Sequence, residues 1–218
     1  MSVSNEGITM SRFSKMVVAL VGAIAVMSVV VGSASARTFS SSSQTLRAVW
    51  REMTFTASTG ARVVCPVSLE GSLHSRTIAK VRYGLIGYIT RADLGAGCTG
   101  GTATILRETL PWHVKYDSFA GELPRITAIR VLIINASFRV RLNEGFNCLF
   151  RTTDAEHALG TLNRNTTTGE LTSAEVGPSE ITSTEGCVFG FRTRGRLTGT
   201  TTSLTVLNSA SRITVTLI

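Results

Sequence analysis

Histidine and aspartate are both scarce in this chain, confined to His74, His113 and His157 and to Asp93, Asp117 and Asp154. Neither a Gly-x-Ser-x-Gly elbow nor a His-Glu-x-x-His pair occurs, which excludes the contiguous signatures of α/β-hydrolases and zinc proteases. Acidic residues are scattered, so the pattern shows no close carboxylate pair of the kind a glycosidase needs. Close Cys-x-x-Cys or Cys/His spacing is missing as well, which argues against a structural zinc site. The expectation is therefore no metal, no cofactor and no enzyme. Lysine is also sparse, so the formal charge of +8 is carried almost entirely by arginine. Few aromatics interleave those arginines, and stacking platforms for single-stranded nucleic acid need them. No specific nucleic-acid partner is expected.

Glycine, threonine, serine and valine are plentiful, a composition that favours many short strands joined by turns. With 218 residues the chain suits one domain better than two. Its N-terminus carries Arg12 and Lys15, then the apolar run Met16 to Val31, then Gly32-Ser33-Ala34-Ser35-Ala36. A basic start, an apolar centre and a small-x-small end make a secretory signal peptide, with cleavage expected after Ala36. The run is short for a membrane span. Residues 37–47, with Ser40-Ser41-Ser42-Ser43, read as a flexible leader, and 48–218 as one β domain of a secreted or cell-surface protein.

The four cysteines, Cys65, Cys98, Cys148 and Cys187, all lie beyond that signal. An even number in an exported chain argues for two disulfides. Three pairings are open; Cys65–Cys98 with Cys148–Cys187 is favoured because each closes a local loop on its own side of Trp112. Leu110-Pro111-Trp112 begins a strand in which Trp112, Val114 and Tyr116 share one face and His113, Lys115 and Asp117 the other. His113 and Asp117 are the nearest approach to a catalytic pair, but the same alternation turns both towards solvent. His74 and His157 complete the inventory for a hydrolase with a noncontiguous site.

Elsewhere the alternation repeats. Val63 to Leu73 reads as one strand, and Thr77 to Thr90, interrupted by Gly84 and Gly87, as a bulged strand or two short ones, with a weak helical alternative. The apolar run Ile126 to Ile134 suggests a strand covered on both faces. Leu159–Leu162 and Leu171–Val176 flank Asn165 to Gly169 as a long hairpin. From Cys187 onward strand and turn recur every eight to ten residues. The fold expected is all-β, an antiparallel β-sandwich or jelly-roll-like barrel.

Arg139 and Arg141 alternate with Phe138 and Val140, and Arg192, Arg194 and Arg196 lie opposite Phe189 and Phe191. Were those strands neighbours, their arginines would form a positive ladder. That ladder is the candidate site for an anionic surface polymer or lipid, set against a plain soluble outer face.

Phe55-Thr56-Ala57, the strand from Cys65 with Gly71, Gly97-Cys98, Leu110-Pro111-Trp112, Cys148 and Gly186-Cys187 occur in that order. The order resembles that of small exported bacterial proteins described as activators of alkane oxidation, and of related actinobacterial secreted proteins. The resemblance implies an extracellular β protein that helps handle hydrophobic material, with no catalytic residues to transfer. The leading expectation is a non-enzymatic, surface-associated binding or interaction protein. A helper in uptake or oxidation of hydrophobic substrates would bind an apolar ligand and need an apolar cleft.

Overall fold

Period-two alternation of buried and exposed residues runs through most of the chain and builds it almost entirely from strands. The computed structural model describes residues 38–143, 146–185, 187 and 191–218; the expected signal peptide at 1–36 and Phe189 lie outside the described residues. In order come β1 (Thr38–Ser41), β2 (Thr45–Ala57), β3 (Arg62–Leu73), β4 (Thr77–Ala79), β5 (Leu85–Leu94) and β6 (Gly101–Ile105). A single 3-10 turn at Arg107–Thr109 leads to β7 (Trp112–Glu122), β8 (Arg125–Ile134), β9 (Ser137–Leu142) and β10 (Asn147–Arg151). The series continues with β11 (Ala158–Arg164), β12 (Leu171–Thr182), β13 (Arg194–Thr200), β14 (Ser203–Val206) and β15 (Val215–Leu217).

The all-β antiparallel expectation holds, and the sheet closes on itself. β2, β3, β5, β7, β8, β11, β12 and β13 are antiparallel neighbours in that order, and β13 pairs back onto β2. Residues 195–198 of β13 lie opposite 57–54 of β2, and β14 extends the seam opposite 49–46. Chain order and spatial order coincide, which makes this an eight-stranded up-and-down barrel, with no open edge along the seam. Gly195 permits the closure: a Cβ there would lie 1.9 Å from Phe55 Cζ, so the ring occupies the space a side chain would need.

Two three-stranded sheets, β10-β9-β6 and β15-β1-β4, close the two ends. The first lies where β2 ends and β3 begins. There Phe138 and Phe150 meet Phe55, with ring centroids 6.1 and 4.6 Å away. The second covers the opposite end through Phe39, which is fully buried, its ring centroid 6.0 Å from Tyr116 and 6.4 Å from Phe119. Both disulfides secure the first cap. Cys65 of β3 bonds Cys98 just before β6, and Cys148 of β10 bonds Cys187 beyond β12. Their sequence separations of 33 and 39 correspond to about 4 kcal/mol each in the chain-entropy picture. The second cap has no staple and is built from the two terminal strands and β4.

The flexible leader expected at 37–47 is corrected. Thr38–Ser41 is the central strand of the terminal cap, and β2 begins at Thr45. The serine run misled because Phe39 supplies the anchoring and the serines supply hydrogen bonds, as Ser41 Oγ does to the Ser43 carbonyl. Of the alternatives for Thr77 to Thr90, two strands are realised, β4 and β5, and helix is not. β8 is buried on both faces over 131–134, as its unbroken apolar run implies. Trp112 is buried, and its indole N–H donates to Thr109 Oγ1 at 2.9 Å.

Replacing Phe39 by alanine should lower unfolding stability by about 3–5 kcal/mol, as should Trp112→Ala, because both are large buried rings. Denaturant titration measures both. A loss under about 1 kcal/mol for Phe39→Ala, the size of a surface change, would restore the leader reading.

Candidate functional site: the barrel interior

Inward-facing residues of the barrel are almost all apolar, yet they do not fill it. Two cavities of about 90 Å³ each lie inside. One sits beneath the stapled cap, lined by Met53, Phe55, Trp112, Phe138, Val140 and Leu197 among others. The second, towards the terminal cap, is lined by Trp50, Leu162, Ala174 and Leu204 and bordered by Gly71, Gly87 and Gly160. Leu69, Ile133 and Val176 line both, so three side chains form the waist between the two. Small residues create the space. On β5, a Cβ at Gly87 would come within 2.3 Å of the Ser72 carbonyl oxygen, so close strand approach excludes a side chain there. Trp50 adds one polar atom to this wall: its indole N–H is buried and has no acceptor among the described residues.

An empty cavity is a standing cost, about 24 cal/mol per Å³ in large-to-small core series. At 90 Å³ each of these amounts to about 2 kcal/mol. Sequence reasoning missed this site entirely, since its lining comes from strands far apart in the chain. The only sequence signal was glycine interrupting otherwise apolar strands.

The histidines are outside the barrel and are not brought to an acid. His113 lies opposite Tyr88 on β5, and Tyr88 stands between two imidazoles, with centroids 4.8 Å from His74 and 5.4 Å from His113. His157 Nδ1 is 3.1 Å from the backbone oxygen of Asp154. Asp117 sits in the bulge between Tyr116 and Ser118, accepting from Arg82 Nε at 3.2 Å and Ser118 Oγ at 2.8 Å. Burial, then the neighbouring Asp117 carboxylate, raises the Tyr116 phenol above its ordinary pKa. Asp93 is tied to Arg91 and Arg107, and Asp154 to Lys115. Among the described residues, no histidine hydrogen-bonds a carboxylate.

The arginines divide between two sheets. Arg139 and Arg141 lie on β9, whose neighbours are β10 and β6, while Arg194 and Arg196 lie on β13, whose neighbours are β12 and β2. These strands are not adjacent, so the five arginines do not form one ladder. Arg139 faces Glu185 at 3.7 Å, Arg194 faces Glu180 at 4.0 Å, and Arg196 stands opposite Glu180 in register. Glu156 anchors the loop before β11 by accepting from the Thr182 backbone N–H and hydroxyl, both at 2.8 Å. Those two bonds, backbone first, hold its carboxyl below the usual pKa, with Arg194 and Arg192 adding a smaller pull.

No protein-family model, curated protein or solved structure matches this chain. The likeness to the alkane-oxidation activators therefore rests on the short motifs quoted for it. Among the described residues, no helix is long and apolar enough to cross a membrane, and no cluster of His, Cys, Asp or Glu is arranged to hold a metal. The two disulfides fit an oxidising compartment.

Because the folded Glu156 pKa is depressed, its contribution is complete above the ordinary value of 4.5 and is lost as pH falls through the folded value. Glu156→Gln should therefore be less stable than wild type at neutral pH and approach it in acid. Paired melting curves across pH 3–7 (approximately the carboxylate range) test this; a gap constant in pH would show that Glu156 acts only by packing.

Proposed function

We propose that this chain is a non-enzymatic, exported binding protein whose barrel interior takes one small apolar molecule. The observation that carries the reading is the pair of apolar cavities meeting at the Leu69, Ile133 and Val176 waist. The stapled cap keeps one end of the chamber rigid, and the barrel wall keeps water from competing for the ligand. A dry engineered cavity of about 150 Å³ in another protein binds benzene, so two chambers of 90 Å³ are of a suitable scale once the waist side chains move apart. This favours the helper in handling hydrophobic substrates over a purely structural surface domain, whose interior has no reason to stay open. The position of the three histidines lends nothing to the hydrolase reading. Secretion or cell-surface attachment is part of the proposal, supported by the disulfides and by the signal-like N-terminal pattern.

Benzene, and small alkanes as a series, should raise the melting temperature by mass action on the folded state. Ala174→Leu, which fills the chamber near the terminal cap, should abolish the rise while leaving the protein folded. Unchanged melting of wild type at saturating benzene would defeat the reading.

A further inference from the structure

The segment joining β4 to β5 stands apart from the rest of the surface. Val81, Tyr83 and Leu85 are 63, 53 and 37 % exposed, and they cluster within five residues of chain. Tyr83 is held at φ +64°, in the left-handed region, where the other two non-glycine residues of the described chain are Asn135 and Asn208. Asparagine tolerates that conformation through its own short side chain, whereas tyrosine gains nothing from it. The backbone imposes it: Tyr83 N–H donates to the Tyr116 carbonyl at 2.7 Å, and Tyr116 N–H donates to the Gly84 carbonyl at 2.8 Å. A strained residue is ordinarily repaid by burial. Here the ring is turned out to solvent, with the Arg82 guanidinium 4.8 Å from its centroid. Strain that presents a side chain outward, with one surface cation–π contact as its packing, points to a role for that side chain.

Charge defines the partner. Between Glu70 and Asp93 the chain has no acidic residue, while the segment that carries the exposed trio also holds Arg76, Lys80 and Arg82. One carboxylate approaches from a neighbouring strand: Asp117, already engaged by Arg82 and Ser118. Lys80 Nζ lies 5.5 Å from the Phe39 ring and 5.6 Å from that of Phe119, so this cation sits where the terminal cap meets the tip. Beside the tip is a hollow of about 290 Å³ lined in part by Ile78, Val81, Leu85 and Ile86. An exposed apolar tip holding an aromatic ring, in a stretch with cations and no acid of its own, matches the interface of an anionic lipid layer. Tyrosine belongs at headgroup depth, aliphatic side chains just below it, and arginine and lysine reach the phosphates.

We infer that Val81, Tyr83 and Leu85 are a peripheral docking tip for anionic lipid surfaces. The tip is independent of whether the barrel interior holds a ligand. Docking would present the unstapled terminal cap, and not the disulfide-secured one, to the lipid.

The full mature chain is sedimented with vesicles of phosphatidylcholine alone and of phosphatidylcholine with phosphatidylglycerol in equal parts. Wild type should bind the anionic vesicles in a salt-sensitive manner and the neutral ones far less. Val81→Ser combined with Tyr83→Gly should weaken binding by about tenfold or more, since each lost methylene equivalent removes a fixed share of the insertion energy. Glycine suits φ +64°, so Tyr83→Gly should melt no lower than wild type, which separates loss of docking from loss of folding. Arg192→Gln, on another face, should bind as wild type does. Absence of wild-type binding, equal binding to neutral vesicles, or full binding by the folded double variant would each overturn the inference.

Discussion

β13 and β14 run back along the free side of β2, and that seam holds the architecture together. Before it forms, β2 is an edge strand and eight strands are an open, twisted sheet with one apolar face. Once it forms, the apolar face becomes an interior with two mouths. The seam needs Gly195 against Phe55, because any side chain there would collide with the ring. It also needs the bulge between Trp50 and Met53, which lets β2 pair with β13 at one end and β14 at the other. The end sheets then follow from geometry: a closed barrel of this size presents two openings onto apolar side chains, and each must be covered.

The covers differ in kind. At one end two disulfides, Phe55, Phe138 and Phe150 bind β6, β9 and β10 to the barrel. At the other, β1, β4 and β15 are three or four residues long and rely on Phe39 and on backbone bonds between the first and last strands, such as Thr38 N–H to the Ile218 carbonyl. Short strands without covalent ties sit at the low end of local stability, whereas a doubly stapled sheet does not. Under the proposed binding role, a ligand would enter through the weaker cover. The exposed tip at 81–85 lies next to that cover, so the proposed lipid contact and the proposed chamber share one end of the barrel.

Surface charge is arranged differently from what a run of arginines suggests. Some of the arginines pair with carboxylates across strands, in contacts worth little individually, as Arg47 and Arg91 do around Glu70. The stretch from Gly71 to Ala92 carries no carboxylate of its own, and its Arg82 and Arg91 draw theirs from Asp117, Glu70 and Asp93. Local lack of acid, more than density of arginine, distinguishes the tip from the rest of the surface.

Strand by strand, much of this was legible in the chain. The Trp112 strand, the β11–β12 hairpin, the doubly covered β8 and the favoured cysteine pairing all appear in the structure, because alternation and loop closure are local properties. The role of Phe39 was not legible, since four serines conceal one buried ring whose partners are Tyr116 and Phe119. Nor was the separation of Arg139 and Arg141 from Arg194 and Arg196, which depends on which strands pair. By itself the sequence determined an all-β, disulfide-bearing domain with Trp112 in its core. Only the tertiary structure decided that the sheet closes, that its interior stays partly empty and that Tyr83 faces outward. Each of those depends on contacts between residues far apart in the chain, which no period or spacing encodes.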